Sequence, residues 1–452
     1  MRASGMMHLG AFFHPTGNHV ASWLHPEAQL DAGTNFRHYV QLAQTAERGR
    51  FDLMFLADAV AVRGGDLQAL RRWPQYMTFF DPLTLLAGIA AVTRHLGLVA
   101  TATTSYNEPY TLARRLAALD HMSDGRAGWN IVTSSNEDEA LNYGRDAHFG
   151  HAERYARAAE FVTVVRGLLD SWDDDAFTRD RATAEYFDPA GLHTLNHRGP
   201  HFTVRGPLNM ARPPQGHPVF AQASASGTGL DMAAQTAEIV FSPLHTLAAA
   251  QAFSQDLKAR AVGYGRTAES IKVMPGLNPI LGRTASEARD KQAHLASLIH
   301  EDVGRSILST ALGGVDLSGC SPGRPLPDAI LEAGLRHGRS EGRVVVAMAR
   351  EGLTFREVYQ RFGSARGQNS IVGTPDMVAD HMERWFREKA VDGFLIQPSV
   401  LPVDLDAFVD TVIPILQDRR LFRTEYEGST LRQNLGLARP ASSHAGHRDG
   451  TG

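Results

Sequence analysis

Along most of the chain, short apolar runs alternate with longer segments of helical period. Runs at 8–13, 51–56, 96–101, 127–132, 218–221, 238–241, 271–274 and 393–396 have the length and the β-branched or aromatic content of strands. Segments at 36–48, 82–93, 110–122, 153–171, 229–236, 247–262, from about 286, and 405–418 read as amphipathic helices. The strand runs are apolar nearly throughout, as in parallel sheets covered by helices on both faces. Eight such β/α units predict a (β/α)8 TIM barrel. An open doubly wound sheet is the alternative, but no GxGxxG stretch follows the first strand.

Two stretches break the repeat. Residues 173–214 are rich in Asp, His, Gly and Pro, and 300–367 carry Gly/Pro punctuation between helical segments. Both read as insertions, and insertions between barrel units usually decorate the C-terminal, active-site face. The expectation is a single domain over 7–437, with 438–452 as a polar, disordered tail.

Composition narrows the function. The chain has 452 residues, 43% hydrophobic and 21% charged, with a net charge of −4 and no long basic run, which argues against a nucleic-acid partner. Its single cysteine, Cys320, rules out an internal disulfide and thiolate metal clusters. The 20 histidines include no HExxH or comparable spacing, so no metal site is expected. There is neither a leader-like start nor an apolar run approaching ~18 residues, so a cytoplasmic enzyme without a membrane partner is expected.

Barrel chemistry sits at the C-terminal ends of the strands. Those ends read Leu56-Ala57-Asp58, Thr101 to Tyr106, Ile131 to Asn136, and Gln222 to Gly227. Hydroxyls, amides and one carboxylate line the predicted mouth, with no paired carboxylates and no Ser/His/Asp set. Such a mouth suits holding a large polar ligand better than direct acid–base work. Ser226 and Gly227 open a predicted helix, where backbone N–H groups favour an anion, although the same residues make an ordinary cap. Asp58 has the same plain alternative. His151 and Tyr155, four residues apart, share a helix face and are either a packed pair or a contact onto a ligand. Phe13, Phe55 and Phe241 near strand ends, with His19, are the candidate substrate pocket; many rings there suit a planar ligand and an apolar substrate together. No arginine stands at the strand ends, which favours a neutral or apolar substrate unless the insertions supply one.

Several segments together carry a family resemblance: Phe51 to Asp58, Thr104 to Tyr110, Ser123 to Ser134, His151 to Tyr155, and Glu425 to Arg432. With these the chain, from about Met7 to Leu437, resembles the bacterial luciferase-like oxygenases grouped with nitrilotriacetate monooxygenase component A, dibenzothiophene sulfone monooxygenase and long-chain alkane monooxygenase. The resemblance implies FMN, taken up as FMNH2 from a separate NAD(P)H-dependent flavin reductase. It implies O2 activation as a flavin C4a-peroxide, transfer of one oxygen atom to a small molecule, and a homodimer or homotetramer. It also implies flavin contacts from Asp58, Thr104, Val132, Thr133 and Ser134, and contacts near the phosphate from His151, Tyr155, Ser226 and Gly227. Here Gln222-Ala223-Ser224 stands where relatives often have Gln-Ala-Gly. Ser134 and then His19 are the candidates for the catalytic hydrogen bond to the peroxide, and the second insertion is the candidate lid. A deazaflavin-dependent oxidoreductase of the same superfamily and a non-catalytic flavin-binding protein are the competing readings; a metal-dependent barrel hydrolase is a more distant one.

Overall fold

The computed structural model describes residues 5–74, 77–224, 227–337 and 340–445. Its strands are β1 His8–Phe13, β2 Leu53–Leu56, β3 Gly97–Thr103, β4 Ala127–Val132, β5 His197–Arg198, β6 Thr203–Val204, β7 Val219–Ala223, β8 Ile239–Phe241, β9 Lys272–Val273, β10 Gly276–Leu281, β11 Asn369–Gly373 and β12 Gly393–Ile396. Ten of them form one parallel sheet in the order β11-β10-β12-β1-β2-β3-β4-β7-β8-β9; β5 and β6 make a separate antiparallel pair.

The sheet is curled. β9 ends the order on one side, yet β10, only two residues further along the chain, sits next to the opposite end. The Lys272 N–H donates to Glu238 O at 2.8 Å, and Asp392 N–H donates to Val273 O at 2.8 Å, so this short segment bonds on both sides. Pro275 lacks an N–H and divides β9 from β10.

Side-chain alternation sorts the two faces. Leu53, Phe55, Val99, Val219, Ala221, Ile239, Met274 and Leu395 pack together on the concave side. Met54, Leu56, Leu98, Trp129, Phe220, Val240 and Phe394 pack with the helices on the other. Each large side chain buried this way contributes about 1.5–3 kcal/mol. Leu431, Leu435 and Leu437 join the concave cluster, and Leu431 lies over Gly97, the first residue of β3. The C-terminal segment thus closes the end where the strands begin. Arg432 locks it there through Glu238 and the carbonyls of His217 and Pro218. Arg423 does the same through Asp52, which is fully buried and also accepts from the Leu9 N–H. The open mouth is therefore at the strands' C-terminal ends.

The sheet has two strands beyond the eight expected. Residues 276–281 continue as β10 after Pro275, and β11 with helix Pro375–Arg387 follows the second insertion. That insertion is helical, with helices Glu301–Ala311, Asp328–His337, Ser340–Arg350 and Phe355–Ala365 around a core of their own that includes Leu308, Val345, Phe355 and Val358. Val20, Ala21 and Trp73 of the mouth join this core. The expected disordered tail is corrected over its first eight residues. Arg439 pairs with Asp174, Ser443 N–H donates to Asp170, and the His444 ring stacks on His193 at 3.9 Å, all within or beside the first insertion. Residues 446–452 lie outside the described residues.

Candidate active site

Five elements converge on one cleft at the mouth, with a volume of about 310 Å³. The turn after β2 brings Asp58 and Arg63; β3 brings Thr101 and Thr103; β4 and its loop bring Val132 to Asn136. Helix His151–Leu169 brings Tyr155, and β7 with the helix after it brings Gln222 and Met232.

The wall is a network of hydroxyls and amides. Thr103 Oγ1 and Ser134 Oγ lie 2.8 Å apart, and Asn130 Nδ2 donates to Thr101 Oγ1 at 2.9 Å. Ser105 Oγ donates to Thr133 O at 2.7 Å. Gln222 Nε2 donates to Gly229 O at 3.0 Å, while its buried Oε1 has no partner among the described residues. Ser134 has φ 54°, the left-handed region that a non-glycine residue enters at a cost of about 1–3 kcal/mol. The guanidinium of Arg154 donates to the Ser134 carbonyl and holds the turn. A strained residue held from two sides at a cleft is the kind of position that function selects.

Electrostatics single out Asp58. Burial, reinforced by the negative charges of Asp81 and Glu139, pushes its carboxyl up to about 7. Burial also raises Glu139.

Of the residues expected from sequence, Asp58, Val132, Thr133, Ser134 and Tyr155 line this one cleft. His151 is exposed, with its ring 4.9 Å from that of Tyr155. Thr104 is fully buried off the wall, and its hydroxyl donates to Val132 O at 3.2 Å. Gly227 is exposed at the start of its helix, and Ser226 lies outside the described residues. His19 is buried in a different, smaller cavity; its Nδ1 accepts from Ala21 N–H at 3.1 Å, and burial, then Arg366, lowers it to about 3. Phe241 lines a second cleft beside the first; Phe55 is buried beneath it, ring centroids 5.2 Å apart, and Phe13 faces the helix layer.

Thr101, Thr103 and Gln222 lie in strand-end stretches that the sequence places at the mouth but were given no individual role, and Arg63 was not singled out. Strand parity identifies two of them: Val99 is on the concave side, so Thr101 and Thr103 follow it there while Thr104 leaves the strand.

The luciferase-like monooxygenase family model matches residues 12–393. The chain belongs to that family. It is 47% identical over 438 residues to N-acetyl-S-(2-succino)cysteine monooxygenase of Bacillus subtilis (strain 168), covering 97% of this chain and 98% of the relative. It is also 47% identical over 452 residues to nitrilotriacetate monooxygenase component A of Aminobacter aminovorans, with 98% and 99% covered. Among solved structures, EDTA monooxygenase from Chelativorans sp. BNC1 is similar with a TM-score of 0.80 and 33% identity, covering 96% of this chain and 99% of that one. The chain is accordingly a flavin-dependent monooxygenase on a curled α/β fold. Among the described residues, no helix is long and apolar enough to cross a membrane.

Proposed function

We propose that this chain is the oxygenase component of a two-component system. It takes reduced FMN from a separate NAD(P)H-dependent flavin reductase and places one oxygen atom of O2 into a small organic substrate, the other leaving as water. The observation that carries the reading is the polar cleft at the strand ends of a luciferase-like monooxygenase, walled mainly by hydroxyl and amide groups suited to holding a large polar ligand. When bound there, reduced FMN supplies the electrons that activate O2.

The residues fit that cofactor. The Gln222 Oε1, unpartnered among the described residues, would accept from a ring N–H, and Asp58, whose carboxyl is pushed up to about 7, would donate when protonated and accept in either state. Val132 and Met232 offer apolar surface to the ring. Tyr155 and His151, with the helix start at Gly227, form the end suited to the phosphate. The roles assigned here to Thr133 and Thr104 are to hold the β3–β4 edge through Ser105 and Val132. Ser134 is the residue assigned to hydrogen-bond the reacting oxygen, held by Thr103 and Arg154. The helices of 300–367 cover the mouth and keep water out. The reductase and its nicotinamide supply make the cytoplasm the fitting compartment.

The finer reading of the sheet is an eight-stranded ring, β1-β2-β3-β4-β7-β8-β9/β10-β12, with β11 as an added strand. The bonds of residues 272–277 to both β8 and β12 support it.

The test is anaerobic titration with reduced FMN, followed by mixing with oxygenated buffer in a stopped-flow spectrometer. The expected result is saturable binding and a transient absorbing species distinct from reduced and oxidised FMN. No binding of reduced FMN, or reoxidation at the rate of free FMNH2 without a transient, would overturn the proposal. Preference for a deazaflavin, or tight retention of oxidised FMN without O2 consumption, would favour the competing readings.

A further inference from the structure

The second cleft, also of about 310 Å³, lies between the strand ends and the helical insertion. It shares Arg63 and Ser135 with the first, so a molecule bound there lies next to the proposed flavin site. One side is apolar, formed by Phe12, Phe241 and Phe362. The other is cationic. Arg63 comes from the turn after β2, and Arg366 is the left-handed residue, φ 51°, that ends helix Phe355–Ala365. Both guanidinium groups stack on the same indole, with Cζ 5.3 Å and 5.5 Å from the ring centroid of Trp73. Stacking holds planar forks of N–H donors in fixed orientations, the arrangement that recognises carboxylates.

The remaining polar lining agrees. Asn18, 3% exposed, and Trp73, 7% exposed, line the cleft, and their Nδ2 and Nε1 donors have no partner among the described residues. A buried donor without a partner costs ~1–3 kcal/mol, which an acceptor-bearing ligand would relieve. Gln397 Oε1 also has no partner among the described residues, and its amide can present either end. His14 stays neutral because burial, then Arg366 and Arg63, holds it well below its ordinary range. The acidic lining residue, Glu341, is exposed.

We infer that the substrate is a small organic polycarboxylate, its carboxylates held by Arg63 and Arg366 and its carbon skeleton laid against the phenylalanine wall. This rests on the flavin reading of the adjacent cleft. It reverses the expectation of a neutral or apolar substrate, because Arg63 comes from the turn after β2 and Arg366 from a helix end in the second insertion, not from the strand ends.

The test is calorimetric titration of the full chain, without turnover, using tricarballylate, succinate and citrate as probes and the neutral triamide of tricarballylate as control. At least one carboxylate should bind ten times or more tighter than the triamide, and more weakly in high salt. Arg366→Gln should lower that affinity at least tenfold, with Arg366→Lys recovering part of it. Melting temperature and reduced-FMN binding, measured on the same samples, should stay at wild-type values in both Arg366 variants. The inference is overturned if none of the three carboxylates binds, if the triamide binds equally well, or if Arg366→Gln binds like wild type. Wild-type protein that binds reduced FMN but no carboxylate refutes this inference alone. Wild-type protein that binds a carboxylate but not reduced FMN refutes the proposed function instead.

Discussion

Asp58 should make the protein less stable as pH rises from about 4 to 7, and Asp58→Asn should abolish that loss. Its carboxyl is raised from 3.8 to about 7 by burial and by the neighbouring Asp81 and Glu139. Between those values the folded chain holds a proton that the unfolded chain has released, so rising pH favours unfolding through this group. The shift is about three units at 1.36 kcal/mol each, an upper bound of ~4 kcal/mol. Asp58 is only partly buried and interacts with a second raised carboxyl, Glu139, so roughly half that, ~2 kcal/mol, is the working figure. Asparagine keeps the shape and cannot ionise. The variant should therefore match wild type near pH 4 and exceed it by ~2 kcal/mol above pH 8. For a chain of 452 residues, an unfolding entropy of ~2 cal/mol/K per residue turns this into about 2 °C in Tm. Melting both proteins without flavin across pH 4–8.5 checks it, because groups common to both cancel in the difference. Parallel curves over the whole range would refute the reasoning. Protonated Asp58 can donate a hydrogen bond and the carboxylate can only accept, so reduced-FMN affinity should also change across pH 7 in wild type and flatten in the variant.

Ser134→Ala removes the 2.8 Å bond to Thr103 but leaves the left-handed backbone in place. Stability should fall by no more than about 1 kcal/mol, while hydrogen peroxide released per reduced FMN consumed should rise; normal coupling would sink the proposed role of the hydroxyl. Ser134→Gly relieves the backbone instead, so a coupled glycine variant would lead to the same conclusion. Arg423→Met leaves Asp52 buried without its guanidinium partner. Burial alone would raise the Asp52 carboxyl, but Arg423 and His8 hold it below its ordinary value. Loss of the arginine should cost ~3–5 kcal/mol, read as a fall of several degrees in Tm, and adding Asp52→Leu should recover part of it.

What could be read from the chain alone follows from where each kind of information is stored. Seven of the eight predicted strands reappear with ends within two residues, and the remaining one, 271–274, as the short β9, because a strand covered on both faces must be apolar along its length, a local property. β10 hid because Asn278 and Pro279 interrupt its apolar run. Asn278 is tolerated in the interior because its amide donates to Gln397 O at 2.6 Å and to Ser399 Oγ at 3.1 Å, 119 and 121 residues away. β11, Asn369–Gly373, is short and polar at the sheet's edge. The tail misled for the same reason, since Arg439 finds Asp174 across 265 residues. The residues of the first cleft follow the strand ends, so strand positions and parity lead to them. The second cleft depends on Arg63, Trp73 and Arg366, two loop residues and a helix end brought together from distant parts of the chain. Nothing local marks that meeting. The proposed flavin side of the mouth thus follows the repeating scaffold, and the proposed substrate side is shared between the loops after β1 and β2 and the helical insertion. Changes in residues 300–367 could therefore alter what is oxidised while leaving the oxidising cleft intact.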